Sequence, residues 1–269
     1  MKMPIKKYLL LPLLLLTLLA ACLLPSCRLP SDDGPEEAAG PRFIAHRGYR
    51  YAYPDNTESS FTAAASMDFY GIETDIHKTK DGCFVCNHDD SVTFADGSSL
   101  KINRSTFAEL TAKPLLNYKT SEDVRLCTFE TYLRICKAGN KVAVIELKGT
   151  FLPKDITSIL EIVDEEYSRS RVCFISFNSL MLALVRAQDP TVELQYLSQT
   201  EDDPYFEDCL ENGIHVSVRT TILTEELVAA FHAAGLKVNV WTVNDPSDLD
   251  LAVLYGVDYV TTDLFTSLG

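Results

Sequence analysis

Residues 71–90 read GIETDIHKTKDGCFVCNHDD. In an extended segment, residues two apart share a face. Ile72 and Ile76 therefore point one way, and Glu73 and Asp75 point the other. The segment reads as a strand that is apolar on one side and doubly acidic on the other. His88 follows at the end of the next apolar run, beside Asp89 and Asp90. Such a strand fits a barrel, where the inward residues of one strand converge with those of its neighbours.

The rest of the chain supports that setting. From Pro41 onward, short apolar runs alternate with segments of helical character. The strand-like runs are 43–46, 72–76, 142–146, 172–176, 193–197, 214–218, 237–241 and 258–262. Helices are predicted over 57–69, 128–138 (capped by Thr128), 154–167, 178–188, 203–212, 224–234 (capped by Thr224) and 245–255 (capped by Asp245). Eight strands alternating with helices predict a TIM (β/α)8 barrel. An open doubly wound sheet is the competing arrangement. About 65 residues separate the second and third runs, against roughly 20–30 elsewhere. An excursion over about 88–125 fills that gap, with a short helix near 106–112 begun by Thr106 and Glu109 in capping-box spacing.

The chain has 269 residues, 46% of them hydrophobic, and a net charge of −14. That material builds one large domain or two small ones. The acidic balance excludes nucleic acid as a partner, because phosphate backbones are held by clustered Lys and Arg. It does not exclude a small phosphorylated substrate, since one metal ion and a few basic residues reverse a local field.

The start, MKMPIKKYLLLPLLLLTLLAACLLPSC, has the form of an export signal over residues 1–21. Leu19-Ala20-Ala21-Cys22 resembles a bacterial lipoprotein cleavage box. On that reading Cys22 is lipidated and the chain is held to a membrane, at the cell surface or in the periplasm. Cys27 is a second candidate, and plain secretion or an uncleaved anchor are the alternatives. Residues 22–40 are expected to be a flexible tether, with the folded domain over 41–269. The six domain cysteines, at 83, 86, 127, 136, 173 and 209, read as buried free thiols, with disulfides as the alternative.

The expected strand ends carry the chemistry. They place His46-Arg47 after the first strand, Glu73 and Asp75 on the second, and Glu146 on the third with Lys148 two further on. Trp241 ends the seventh, and Asp263 follows the eighth. Three carboxylates on adjacent strands repel in a partly dry pocket, and a hard divalent cation such as Mg2+ or Ca2+ removes the conflict. His46 and His88 remain as proton carriers, and Arg47 and Lys148 as partners for an anion. This set suits phosphodiester chemistry. The bland readings are solvated carboxylates, structural histidines and a Trp241 that belongs to the core. His77 is expected beyond its strand, and His215 and His232 to be structural.

The fragments FIAHRG, YPDNTESSFTAA, GIETDIHKTKDG with the later HDD, VIELK, VNVWTVN and VTTD together resemble the glycerophosphodiester phosphodiesterase family, in family order over residues 43–263. The resemblance implies a barrel and metal-dependent hydrolysis of glycerophosphodiesters to glycerol 3-phosphate and an alcohol. It implies His46 and His88 as general acid and base, and Glu73, Asp75 and Glu146 as ligands of one Ca2+ or Mg2+. Arg47 is implied at the phosphate and Lys148 beside the site, both on the substrate, Asn56 shapes the pocket, and Trp241 lines the glycerol end. The family's Pro-Glu-Asn-Thr is Pro-Asp-Asn-Thr here, and the stretch after His88 departs from the family's. A phospholipase acting on intact lipid, similar to sphingomyelinase D, and a surface binding protein on a retired barrel are the other readings. Retention of the five catalytic and ligand positions counts against the last.

Overall fold

The structure is a computed structural model that describes residues 40–268 apart from residue 122. The expected signal over 1–21, the lipidation at Cys22 and all of the tether but its last residue lie outside the described residues. The first half of the domain comprises β1 (Arg42–Ala45), α1 (Glu58–Ala65), β2 (Gly71–Lys78), β3 (Phe84–Cys86), β4 (Ser91–Thr93), β5 (Ser99–Lys101), α2 (Phe107–Leu110), β6 (Cys127–Thr128) and α3 (Phe129–Ala138). The second half comprises β7 (Val142–Leu147), α4 (Pro153–Glu166), β8 (Val172–Ser176), α5 (Ser179–Gln188), β9 (Glu193–Ser198), α6 (Tyr205–Asn212), β10 (His215–Arg219), α7 (Glu225–Ala233), β11 (Val238–Trp241), α8 (Pro246–Tyr255) and β12 (Tyr259–Thr262).

Among the described residues, eight parallel strands run in the order β1, β2, β7, β8, β9, β10, β11, β12, and β12 pairs back onto β1. The sheet therefore closes, which rules out the open doubly wound alternative. Closure explains why β7 is buried along its whole length: helices cover one face of a barrel strand and the barrel interior covers the other. The outward faces of the strands join the helices in the main core, which includes Phe61, Phe129, Tyr132, Ile145, Phe174 and Val240. Ile44, Val142, Val144, Cys173, Ile175, Leu197 and Tyr259 fill the interior below the site.

The helix ends follow their sequences. Thr128 accepts the backbone N–H of Thr131, and Thr224 that of Leu227. Asp245 caps α8, which has Pro246 in its first turn and stops at Gly256 in the left-handed region, the usual asymmetry of helix ends. The capping box at Thr106 and Glu109 is present, but the helix it starts is only one turn long.

The excursion is more structured than expected. β3 and β6 continue β2 as an antiparallel ribbon, β4 and β5 form a hairpin, and Val85, Val92, Phe94, Ile102, Leu110 and Leu126 bury a small core of their own. β2 also runs two residues further than its sequence pattern suggests, so His77 lies inside it rather than past its end. His232, expected to be structural, bonds Asp258 at 2.9 Å.

Tyr132 ties α3 to the barrel beneath the site. Its ring is fully buried, edge-on to Phe61 at 4.9 Å, and its hydroxyl donates to the carbonyl of Ile72 at 2.6 Å. Replacing it, Tyr132→Phe, removes one buried donor. The expected cost is about 1 kcal/mol of stability, read as a lower urea midpoint with an unchanged slope.

Candidate active site

The site stands at the C-terminal ends of the strands. β2 and β7 are in register with Asp75 opposite Glu146 and Glu73 opposite Val144. Side-chain alternation then brings Glu73, Asp75 and Glu146 together, all buried, with one oxygen from each within 4.8 Å of the others. Burial, reinforced by the Asp75 charge, pushes the Glu146 carboxyl up to about 7 and Glu73 well above the usual carboxylate range. Burial works the same way on Asp75, but the Lys148 and Arg47 charges outweigh it and hold Asp75 low. Lys148 Nζ lies 3.2 Å from Asp75 and 3.0 Å from Glu146. Asp75 Oδ1 is buried with no hydrogen-bond partner, although Lys148 approaches it as an ion pair. Three clustered oxygen donors, one of them with an unused acceptor, fit a hard divalent cation.

The loop after β1 holds this cluster from the side. Its chain doubles back with Arg47, Gly48 and Asn56 all at positive φ. Gly48 is required there, because a Cβ would sit 2.2 Å from Ser60 Oγ and 2.8 Å from the Ser60 backbone. The turn aims the Arg47 N–H at Glu73 Oε2 (2.8 Å) and its guanidinium at Asp55 (3.2 Å) and Asp75 (3.4 Å). Asn56 donates to Asp75 Oδ2 (2.8 Å) and accepts from Thr74 Oγ1 (2.8 Å) and from the Asp75 N–H (3.2 Å). Thr57 caps α1 through the Ser60 N–H. The Pro-Asp-Asn-Thr segment is thus a clamp on Asp75 and the start of a helix.

The two histidines are held differently. His46 Nδ1 bonds Asp263 at 2.8 Å. Asn244 in turn donates to Asp263 Oδ2 at 2.8 Å and accepts the Asp263 N–H at 2.9 Å. Burial lowers the His46 pKa, and the Asp263 bond offsets this only in part. With Nδ1 engaged, His46 offers Nε2 to the site. His88 stands two residues past β3, more exposed, with Nδ1 on Asp89 at 2.8 Å. His77 Nε2 lies 3.3 Å from the His88 carbonyl and so props the arm that carries His88. Sequence reasoning gives no role to Asp263, Asn244 or His77. The one signal for Asp263 is its place just after the last strand.

His46, Arg47, Glu73, His88, Glu146, Lys148 and Trp241 all border one cavity of about 280 Å3. Asp75 and Asn56 stand directly behind it. Trp241 forms a wall, its indole N–H on the Ser217 carbonyl at 3.1 Å and its ring edge-on to Phe177 at 5.7 Å. Ser217, Asn239 and Thr261 make a polar floor bonded within itself. Arg47 and His88 also border a smaller polar cleft of about 240 Å3. Cys22 lies outside the described residues.

Asn56→Ala leaves Asp75 with fewer bonds to hold it. Groups that orient ligands typically cost 10–100-fold in metal affinity when lost. The expected outcome is a drop in Mg2+ or Ca2+ affinity of that order by titration calorimetry, in a chain that still folds.

The chain is similar to known phosphodiesterases in sequence and in fold. A Glycerophosphodiester phosphodiesterase of Bacillus altitudinis is 27% identical over 230 residues, spanning 82% of this chain and 94% of the relative. A glycerophosphodiester phosphodiesterase from Parabacteroides distasonis superposes with a TM-score of 0.71 at 28% identity, covering 84% of this chain and 93% of that one. An Oleispira antarctica phosphodiesterase, solved with the product sn-glycerol-3-phosphate, shares the fold at a TM-score of 0.75 and 23% identity, over 83% and 93% of the two chains. Residues 46–266 match the Glycerophosphoryl diester phosphodiesterase family, and the chain belongs to that family of enzymes.

Proposed function

We propose that the barrel hydrolyses small, water-soluble glycerophosphodiesters to glycerol 3-phosphate and an alcohol, with one divalent cation and a pair of histidines. The observation that carries this is the convergence of Glu73, Glu146, Arg47, Lys148, His46 and His88 on one cavity, with Asp75 completing the carboxylate cluster behind it. Glycerol 3-phosphate is also the product bound by the Oleispira antarctica phosphodiesterase.

Glu73, Asp75 and Glu146 would hold the cation. Bound there, it supplies charge stabilisation at the phosphoryl oxygens, which in reactions of this class usually contributes most to the rate. Mg2+ and Ca2+ both suit an all-oxygen ligand set. Arg47 orients the phosphate, and Lys148 adds positive charge beside it. The glycerol hydroxyl next to the phosphodiester attacks phosphorus. One histidine accepts its proton while the other protonates the departing alcohol. The resulting cyclic phosphate is opened by water, with the two histidines exchanging roles. Asp263 fixes the ring of His46 for this work, and Trp241 receives the glycerol end.

The leader supports export and attachment to a membrane through a lipid on Cys22, so that substrate is met on the extracytoplasmic side.

The direct test supplies glycerophosphocholine and glycerophosphoethanolamine and follows glycerol 3-phosphate release with a coupled dehydrogenase. Release from either is the expected result. None from both, with a folded and metal-loaded chain, overturns the reaction. EDTA is expected to abolish release and added Ca2+ or Mg2+ to restore it; full activity in excess chelator would remove the metal. His88→Ala is expected to lower kcat by ~10²-fold or more with the fold intact by circular dichroism. A variant within threefold of the parent removes His88 from the mechanism.

A further inference from the structure

The arm that carries His88 leaves the barrel along β3 and returns along β6, and its two feet are cysteines. Cys86 ends β3 and Cys127 begins β6, and the ladder sets them directly opposite each other. Residues opposed in an antiparallel pair lie on the same face with Cα atoms ~4.5–5.5 Å apart. That spacing falls inside the window a disulfide needs, ~4.4–6.8 Å. Both are buried, at 1% and 5% exposure, and both belong to the main core rather than to the excursion's own. Burial pushes the Cys86 thiol well up, and the Cys127 thiol beside it pushes in the same direction. All six described cysteines carry free thiols in this structure, and the other four lack this relation. Cys83 precedes β3, and Cys136, Cys173 and Cys209 sit on α3, β8 and α6, opposite no cysteine in any ladder.

We propose that Cys86 and Cys127 are a disulfide-forming pair, whose bond staples the two feet of the His88 arm to each other. The bond closes a loop of 40 intervening residues. His88 is two residues beyond Cys86, so the staple fixes the base from which His88 projects. The chemistry is thiol–disulfide exchange. The thiolate of one cysteine attacks the disulfide of an oxidant, such as oxidised glutathione or an oxidoreductase of that class, and expels one thiol. The second cysteine's thiolate attacks the mixed disulfide and expels the other thiol. Two protons and two electrons leave the pair, and the oxidant ends as two thiols. Because neither sulfur is reachable in the folded barrel, the bond forms while the chain folds.

The test is to refold the full chain in a mixture of reduced and oxidised glutathione, unfold and alkylate it in acid-quenched denaturant, digest it without reduction and map the peptides by mass spectrometry. The expected result is one linked peptide joining Cys86 to Cys127, with Cys83, Cys136, Cys173 and Cys209 alkylated. Reduction of that sample is expected to lower Tm by about 5–10 °C, and a Cys127→Ser chain is expected to show neither the link nor the shift. If that variant fails to fold, the map of the parent chain decides alone. Alkylated Cys86 and Cys127 in the refolded parent, or Cys86 joined to Cys83 or Cys136, overturns the proposal. Catalysis plays no part in the readout, so the outcome stands apart from the reaction proposed above.

Discussion

The register that sets Asp75 beside Glu146 is the constraint on which the rest of the site depends. It brings three carboxylates within 4.8 Å in a buried place. At an effective dielectric of ~20, two unit charges 4 Å apart repel by roughly 4 kcal/mol. Three such pairs rival the ~5–15 kcal/mol stability of a whole domain. Arg47 and Lys148 supply two positive charges against three negative ones. In their presence Glu73 and Glu146 still hold protons more tightly than free carboxyls do. The cluster has a surplus negative charge that protons or a divalent cation can relieve. A cation does so while leaving the oxygens free to coordinate.

The strained loop between β1 and α1 follows from the same requirement. To place a backbone N–H on Glu73 and both a guanidinium and an amide on Asp75 Oδ2, the chain must turn twice within ten residues. Non-glycine residues at positive φ cost of order 1–3 kcal/mol each, and Arg47 and Asn56 both adopt it. Asn tolerates the left-handed region better than most residues, and Ser60 Oγ steadies the turn by donating to the Arg47 carbonyl at 2.9 Å. Such strain persists only where surroundings over-determine it, and here the surroundings are the carboxylates themselves.

Much of this is legible in the sequence because it lies in the period-two pattern of strands. The alternation in IETDI identifies two of the inward carboxylates, the strand-end place of Glu146 in VAVIE identifies the third, and apolar runs separated by capped helices identify the barrel. The remainder depends on relations that period cannot express. Asp263 and His46 are 217 residues apart and meet only because β12 closes on β1. Asn244 reaches Asp263 from a loop. The ribbon of β3 and β6 joins segments of three and two residues, too short for periodicity to distinguish from loop. His77 looks peripheral in the sequence because the apolar alternation stops at Ile76, and the antiparallel partner β3 is what extends the strand.

The dimensions of the cavity bear on the choice between a soluble diester and an intact lipid. At about 280 Å3 it is at or below the low end of the ~300–1,000 Å3 typical of ligand sites. Its floor of Ser217, Asn239 and Thr261 is polar and bonded within itself, so an acyl chain pressed against it would strip water from those groups without replacing their partners. Its one aromatic wall, Trp241 and Phe177, faces a space of small-molecule size. A lipid substrate would therefore have to keep its chains outside, and the barrel would recognise only the glycerol phosphate it shares with the soluble diesters. The recognition built into this site is for the polar core of the substrate, and a water-soluble glycerophosphodiester presents that core with nothing left to exclude.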